Sequence, residues 1–210
     1  MSADKFAVRS PADTAVLVRD YPFAWVVSGG AGELSATSLP LRPVLIEGRL
    51  DRLVGHFVRS NPQVEALRRE GRALILYRGP HGYISPSWMA DRTHAPTWNH
   101  ASAQFVADIE FFEDPADIEA HLRDLVDAME AHRPGAWRIE DMGERYRSLA
   151  RRVIGFTARI REIRAQFKLG QDERDDVFGD IVRALGREGP PALLEWMMAF
   201  NQHRPGRIQD

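Results

Sequence analysis

Apolar and polar positions along the chain change period several times, and each change marks an element. Ser10-Pro11-Ala12-Asp13 sets an N-cap, a proline at the first helical position and an acid in the first turn, which predicts a helix through about Asp20. Phe23 to Val27 is aromatic and β-branched, Gly29-Gly30-Ala31-Gly32 has turn composition, and Glu33 to Leu41 alternates, so a hairpin is predicted. Two further strands are expected at about Val44–Glu47 and Arg49–Phe57, joined through Gly48. Asn61-Pro62 then opens a short helix through Arg69, and Ala73–Tyr77 is again strand. The stretch from Gly79 to Pro96, rich in glycine, proline and serine, reads as irregular. A long strand is predicted over Thr97–Phe112, ended by the helix start Asp114-Pro115-Ala116-Asp117, with the helix continuing to about Ala131. Leu122, Leu125 and Met129 share one face of it, which predicts core packing.

A short helix is expected over Met142–Ala150. Val153–Leu169 returns to alternation, with Ile154, Phe156, Ala158 and Ile160 on one face and Thr157, Arg159 and Arg161 on the other. From Gln171 the pattern is helical, with segments Asp175–Leu185 and Pro191–Phe200. Six or more strands with helices before, after and at the C-terminus define an α+β protein, expected as a single domain over residues 1–210 with a helical segment at about 171–203.

Composition narrows the class. Of 210 residues 44% are hydrophobic and 28% charged, as in globular proteins. No apolar run approaches the roughly 18 residues a membrane span needs, and the N-terminus lacks a signal-peptide pattern, so a cytoplasmic protein without membrane partners is expected. The absence of cysteine excludes disulfides, thiolate metal sites, iron–sulfur clusters and a cysteine nucleophile. A formal charge of -2 argues against a broad nucleic-acid surface. Only Lys5 and Lys168 are lysine, leaving 26 arginines, a bias that GC-rich coding explains as well as anion recognition does. Dinucleotide and phosphate-loop glycine motifs, the Gly-x-Ser-x-Gly elbow and the His-Glu-x-x-His helix are absent, and no helix-turn-helix announces itself.

Three segments carry a more specific reading: Gly55-His56-Phe57-Val58-Arg59-Ser60-Asn61-Pro62-Gln63, Gly79-Pro80-His81-Gly82-Tyr83-Ile84-Ser85-Pro86-Ser87-Trp88 and Ala95-Pro96-Thr97-Trp98-Asn99. Together with Ala36-Thr37-Ser38-Leu39-Pro40-Leu41, Ile154-Gly155-Phe156 and Lys168-Leu169-Gly170-Gln171 they resemble the PaiB-type proteins, flavin-binding split β-barrels often labelled negative transcriptional regulators. The resemblance spans roughly residues 15 to 185. It implies a split β-barrel with flanking helices, a homodimer and cofactor clefts at the subunit interface.

The departures from that family fall on polar positions. Ser38 and Gln104 stand where the family usually has histidine, His100 where it has tyrosine, Ala107 where it has glycine, and Gly170 and Asp172 replace serine and asparagine. Scaffold motifs are kept while cleft-type positions change, which points to a changed ligand. A haem protein that resembles this family, piperazate synthase, closes N5-hydroxyornithine into a cyclic hydrazine. By that resemblance the expected function is haem-dependent N–N bond formation, with haem b as cofactor and an amino acid as substrate. Its iron needs an axial ligand, for which His56 is the first choice and His100 or His81 the alternatives. Two other readings stay open. In one, the chain is an FMN-binding regulator, with DNA as partner and Thr37, Arg59, Ser60, Asn61 and Lys168 on the flavin. In the other, it is an interaction protein with an empty cleft.

Each candidate also has a plain structural reading. His56 would equally orient the fold, His81 would hydrogen-bond in a loop, and His100 would be a surface substitution. Thr37, Ser38, Arg59, Ser60 and Asn99 suit phosphate or propionate groups together, but each alone suits a turn. Trp88 and Trp98 would wall a planar cofactor or fill an interface. Arg159, Arg161 and Arg164 read as a solvated strand face.

Overall fold

The computed structural model describes residues 5–30 and 33–203. Its elements run α1 (Pro11–Asp20), β1 (Phe23–Gly30), β2 (Glu33–Pro40), β3 (Arg42–Ile46), β4 (Arg49–Val58), α2 (Pro62–Glu70), β5 (Arg72–Ile84), β6 (Thr97–Phe112), α3 (Pro115–Glu130), α4 (Arg145–Ala150), β7 (Val153–Lys168), α5 (Asp175–Glu188) and α6 (Pro191–Phe200). Short 3₁₀ turns cover Pro86–Trp88 and Ile139–Met142. The strands form one sheet in the order β2-β1-β5-β6-β7-β4-β3. β1 pairs antiparallel with β2 and β5, and β4 antiparallel with β3 and β7. Among the described residues no helix is long and apolar enough to cross a membrane.

The expected helix starts are where local chemistry puts them. Asn61 caps α2 by accepting from the Gln63 amide at 2.9 Å, and Asp114 caps α3 through the Ala116 amide at 2.8 Å. The β3–β4 turn places Glu47 at φ 51° and Gly48 at φ 75°, the paired left-handed geometry of a tight hairpin. The β1–β2 turn expected at 29–32 includes Ala31 and Gly32, which lie outside the described residues.

Three expectations need correction. β5 does not stop at Tyr77 but continues through Gly79 and Pro80 to Ile84, so the irregular stretch begins at Ser85. The reason is close packing: a Cβ on Gly79 would lie 2.4 Å from Leu17 Cδ1, and one on Gly82 2.9 Å from Leu193 Cδ2. Glycine there is a strand residue that lets helices approach, as well as a turn former. In α3 the buried positions are Ile118 and His121, whereas Met129 is exposed and Leu122 and Leu125 are half-buried. The expected apolar face is therefore the flank of that helix. α5 runs past Gly186 to Glu188, carried by the buried stripe Val177, Phe178, Ile181, Val182, Ala184 and Leu185.

The described residues divide into two compact units. One takes the chain up to Leu17, Arg78–Ala103 and the residues from Arg164 onward. Its core joins Leu17, Ile84, Phe167, Leu169, Leu193, Met197 and Phe200, with the Arg9 guanidinium 3.9 Å over the Phe200 ring. The other takes Val18–Tyr77 and Gln104–Ile163. Its core holds Leu41, Leu53, Phe57, Leu67, Ile75, Phe105, Ile154 and Phe156, with Phe57 and Phe156 ring centroids 5.0 Å apart.

Candidate functional site

The residues expected to hold a ligand separate into local groups, and the hydrogen bonds of each decide how much binding capacity is left. In the second unit, Thr37 on β2 donates to Gln63 Oε1 at 2.6 Å and accepts from Asn61 Nδ2 at 3.0 Å. Gln63 is 1% exposed, and its Nε2 lies within hydrogen-bond reach of Val26 O, Ser28 Oγ and Ser35 O at 2.9 to 3.2 Å. Thr37 and Asn61 thus come together as expected, but as the outer part of a clasp that fastens α2 to the β1–β2 hairpin. Gln63 is the residue the sequence reading missed in that role. Its signal was its place within the Asn61-Pro62-Gln63 motif. Ser38, opposite Trp25 in the hairpin, is half-buried and faces away from Thr37.

Arg59 and Ser60 leave β4 at its exposed end. Arg59 donates through Nε to Arg151 O at 3.0 Å and pairs through its terminal nitrogen with Glu113, which Arg68 also contacts. These two arginines hold the Glu113 carboxyl below its usual range.

His56, on β4, meets a residue no sequence pattern singled out. Its Nδ1 lies 3.0 Å from Nε2 of His121 on α3, with the rings edge to face at 5.2 Å. His121 is 7% exposed and also packs edge-on against Phe112. Burial, and next the proximity of His56, push His121 down to about 4, and burial lowers His56 as well. Both rings are therefore neutral near pH 7, one donating the shared hydrogen and the other accepting it. His121 also lines a cavity of about 780 Å³, whose walls include Val44, Leu45, Val54 and Phe112, with Arg42 and Arg52 among its basic groups. Arg42 is held by Asp124 at 2.9 Å.

The remaining candidates belong to the first unit. His81 accepts from Trp98 Nε1 at 3.2 Å, the two rings stack at 6.0 Å, and Tyr83 lies 6.1 Å from Trp98. Trp98 is 53% exposed, so it forms part of an aromatic surface. His100, two positions on, is half-buried on the same side of β6. Asn99 is fully buried, with its amide nitrogen 3.6 Å from Met197 Sδ and its oxygen without a partner among the described residues, so its amide is enclosed by protein. Lys168 donates to Thr97 Oγ1 and lies 5.6 Å over the Phe6 ring. Arg159 and Arg161 form exposed cross-strand pairs with Glu110 and Asp108, the solvated face expected for them.

One imidazole is what an iron already held by four porphyrin nitrogens requires of a protein. A neutral histidine whose second nitrogen is engaged meets that requirement, because the engaged nitrogen fixes ring and tautomer. The cavity beside the pair is lined by His121 and not by His56, and it carries the carboxylates Asp117 and Asp124 as well as Arg42 and Arg52. The histidine pair therefore fits an axial ligand of a haem, while the charges of the neighbouring cavity are balanced between arginines and aspartates. Of the groups expected on a flavin phosphate, Ser60 is exposed at the end of β4, whereas Arg59 is engaged by Glu113 and the Arg151 carbonyl.

A sheet in this strand order with its flanking helices defines the α+β split β-barrel class that includes flavin-binding proteins. The family described as "Putative FMN-binding domain" matches residues 2–162, and the chain belongs to it. Protease synthase and sporulation protein PAI 2 of Bacillus subtilis is 27% identical over 177 residues, covering 83% of each chain. Among solved structures, the FAD and haem binding protein from Mycobacterium smegmatis superposes with a TM-score of 0.60 at 19% identity, covering 82% of this chain and 78% of that one. The flavocytochrome Anf3 from Azotobacter vinelandii does so with a TM-score of 0.58 at 18% identity, covering 79% and 74%. The PaiB-type resemblance is thereby established, and with it the split barrel.

Proposed function

We propose that this member of the FMN-binding family binds haem through His56 Nε2, with His121 as the residue that fixes the His56 tautomer. The observation that carries this reading is the 3.0 Å contact between His56 Nδ1 and His121 Nε2 inside a neutral, largely buried pair. His56 Nδ1–H donating to His121 leaves the Nε2 lone pair of His56 for a metal. That two structural neighbours are described as haem or flavocytochrome proteins agrees with the choice.

The reaction we assign is dehydrative closure of an N-hydroxylated ornithine. When bound, ferric haem would act as a Lewis acid on the hydroxylamine oxygen. The α-amine nitrogen forms the N–N bond as the N–O bond breaks, and the oxygen leaves with protons as water, so no oxidant or reductant is consumed. This step rests on the likeness to piperazate synthase drawn from the sequence. We take the working unit to be a homodimer. Exposed Trp98 and Tyr83 in one unit and Trp25 in the other supply apolar surface of the kind a subunit interface covers.

A second reading, an FMN-binding regulator, is favoured by the family match itself. The absorption spectrum of the purified protein separates the two. A Soret band that is lost or moved in His56→Ala supports haem on His56, a flavin spectrum supports the regulator, and a Soret band indifferent to His56→Ala rejects the ligand assignment. Sedimentation at the monomer mass would reject the dimer.

A further inference from the structure

The segment between β6 and β7 builds a second cavity that the histidine pair does not use. It encloses about 470 Å³ within the second unit and is lined by Pro115, Ile118 and Ala150 on its apolar side and by Tyr146, Arg147 and Arg151 among its polar groups. We propose that it is a binding site for a small organic carboxylate, with Arg147 and Arg151 facing the anion and the Tyr146 hydroxyl meeting the ligand's polar end.

The charge balance of the lining carries the argument. Two carboxylates border the cavity, Glu113 and Glu119, and both are already paired: Glu113 with Arg59 and Arg68, Glu119 with Arg123 at 3.1 Å. Arg59 is spent on Glu113 and on the Arg151 carbonyl. Arg147 has a loose contact of 3.7 Å with Glu144, whose side chain is 90% exposed, a pair of little strength. Arg151 has no carboxylate partner among the described residues. Two guanidiniums four residues apart are thus left over at one cavity, and side chains at that spacing share a face.

The second observation is the Tyr146 hydroxyl. Its oxygen is buried and has no hydrogen-bond partner among the described residues, an arrangement that costs stability unless something occupies the site. Burial and the neighbouring Glu119 keep the phenol protonated, so it is available as a donor. An arginine pair suits a carboxylate or a phosphate equally. The apolar floor of Pro115, Ile118 and Ala150 favours the carboxylate, because an organic acid brings a body to cover it and inorganic phosphate does not.

Calorimetric titration of the full chain with acetate, butanoate, hexanoate and inorganic phosphate, and with hexanamide as the uncharged control, tests this. Saturable binding should tighten from acetate to hexanoate, and hexanamide should not bind. The double variant Arg147→Gln/Arg151→Gln should weaken hexanoate by at least about tenfold, since it removes two charge-assisted donors. Tyr146→Phe should weaken an ω-hydroxy acid more than hexanoate. All three positions are exposed or half-buried, and an unchanged circular dichroism spectrum would show the variants folded. Equal binding of hexanamide, phosphate as tight as hexanoate, or an unaffected double variant would each overturn the proposal. The readout needs no bound haem, so it stands or falls apart from the iron assignment.

Discussion

Gly155 lies on β7 directly opposite His56 in the ladder, and the ring of Phe112 occupies the space a side chain would need. A Cβ at Gly155 would meet Phe112 Cε2 at 2.1 Å, Cζ at 2.2 Å and Cδ2 at 2.7 Å. Ordinary carbon–carbon contact is about 3.5 to 4 Å, so Gly155→Ala obliges the ring to retreat by more than about 1 Å. Two effects then compete. Alanine in a strand is favoured over glycine by about 0.5–1 kcal/mol through backbone entropy. Overpacking costs about 1–3 kcal/mol, so the clash outweighs the entropy gain over nearly all of these ranges and a net loss of up to about 2.5 kcal/mol is expected. Urea denaturation followed by circular dichroism reads this as a lower midpoint at constant slope. The decisive measurement is the same substitution in a Phe112→Ala background. With the ring gone only the entropy term remains, and Gly155→Ala should become neutral or stabilising by about 0.5–1 kcal/mol. A similar cost in both backgrounds would refute the steric account. Because Phe112 also packs on His121 at 6.2 Å, Gly155→Ala should in addition disturb the histidine pair.

His121 falls from its ordinary value of 6.5 to about 4, so the unfolded chain takes up a proton more readily than the folded one. Its contribution is intact above pH 6.5 and is lost as pH falls toward 4, by about 3 kcal/mol. Metal-free protein should therefore lose more stability between pH 7.5 and 4 than His121→Gln does, and parallel curves would contradict this. Gln63→Ala removes a buried amide from three acceptors and from Thr37, which should cost about 2–4 kcal/mol in urea denaturation; a loss under about 1 kcal/mol would mean that water replaces it.

Local signals read well from sequence. The N-caps of α2 and α3 were legible because a side chain, a proline and an acid act within one turn, and β6 because odd positions such as Ala101, Ala103, Phe105 and Ala107 are buried one after another. What escaped depended on contacts distant along the chain. Gly79-Pro80 resembles a breaker until Leu17 is known to press on it. Gln63 was visible as part of a motif, yet its partners at Val26, Ser28, Ser35 and Thr37 come from another hairpin. His121 sits in a charged helix, and only the fold brings it to His56, 65 residues away. The arginines at the second cavity were lost among the chain's 26, because a surplus of charge is defined by which partners are already taken.

The stretch from α3 to α4 supplies both the imidazole behind His56 and the floor and cations of the carboxylate cavity, while contributing no strand to the sheet. The molecule therefore keeps its scaffold and its tuning on different parts of the chain. A replacement of residues 115–151 by another helical pair would change what backs the β4 histidine and which small acid is admitted, with every strand register unaltered. One barrel could in this way serve a succession of chemistries, each new one costing a single exchangeable cassette instead of a new fold.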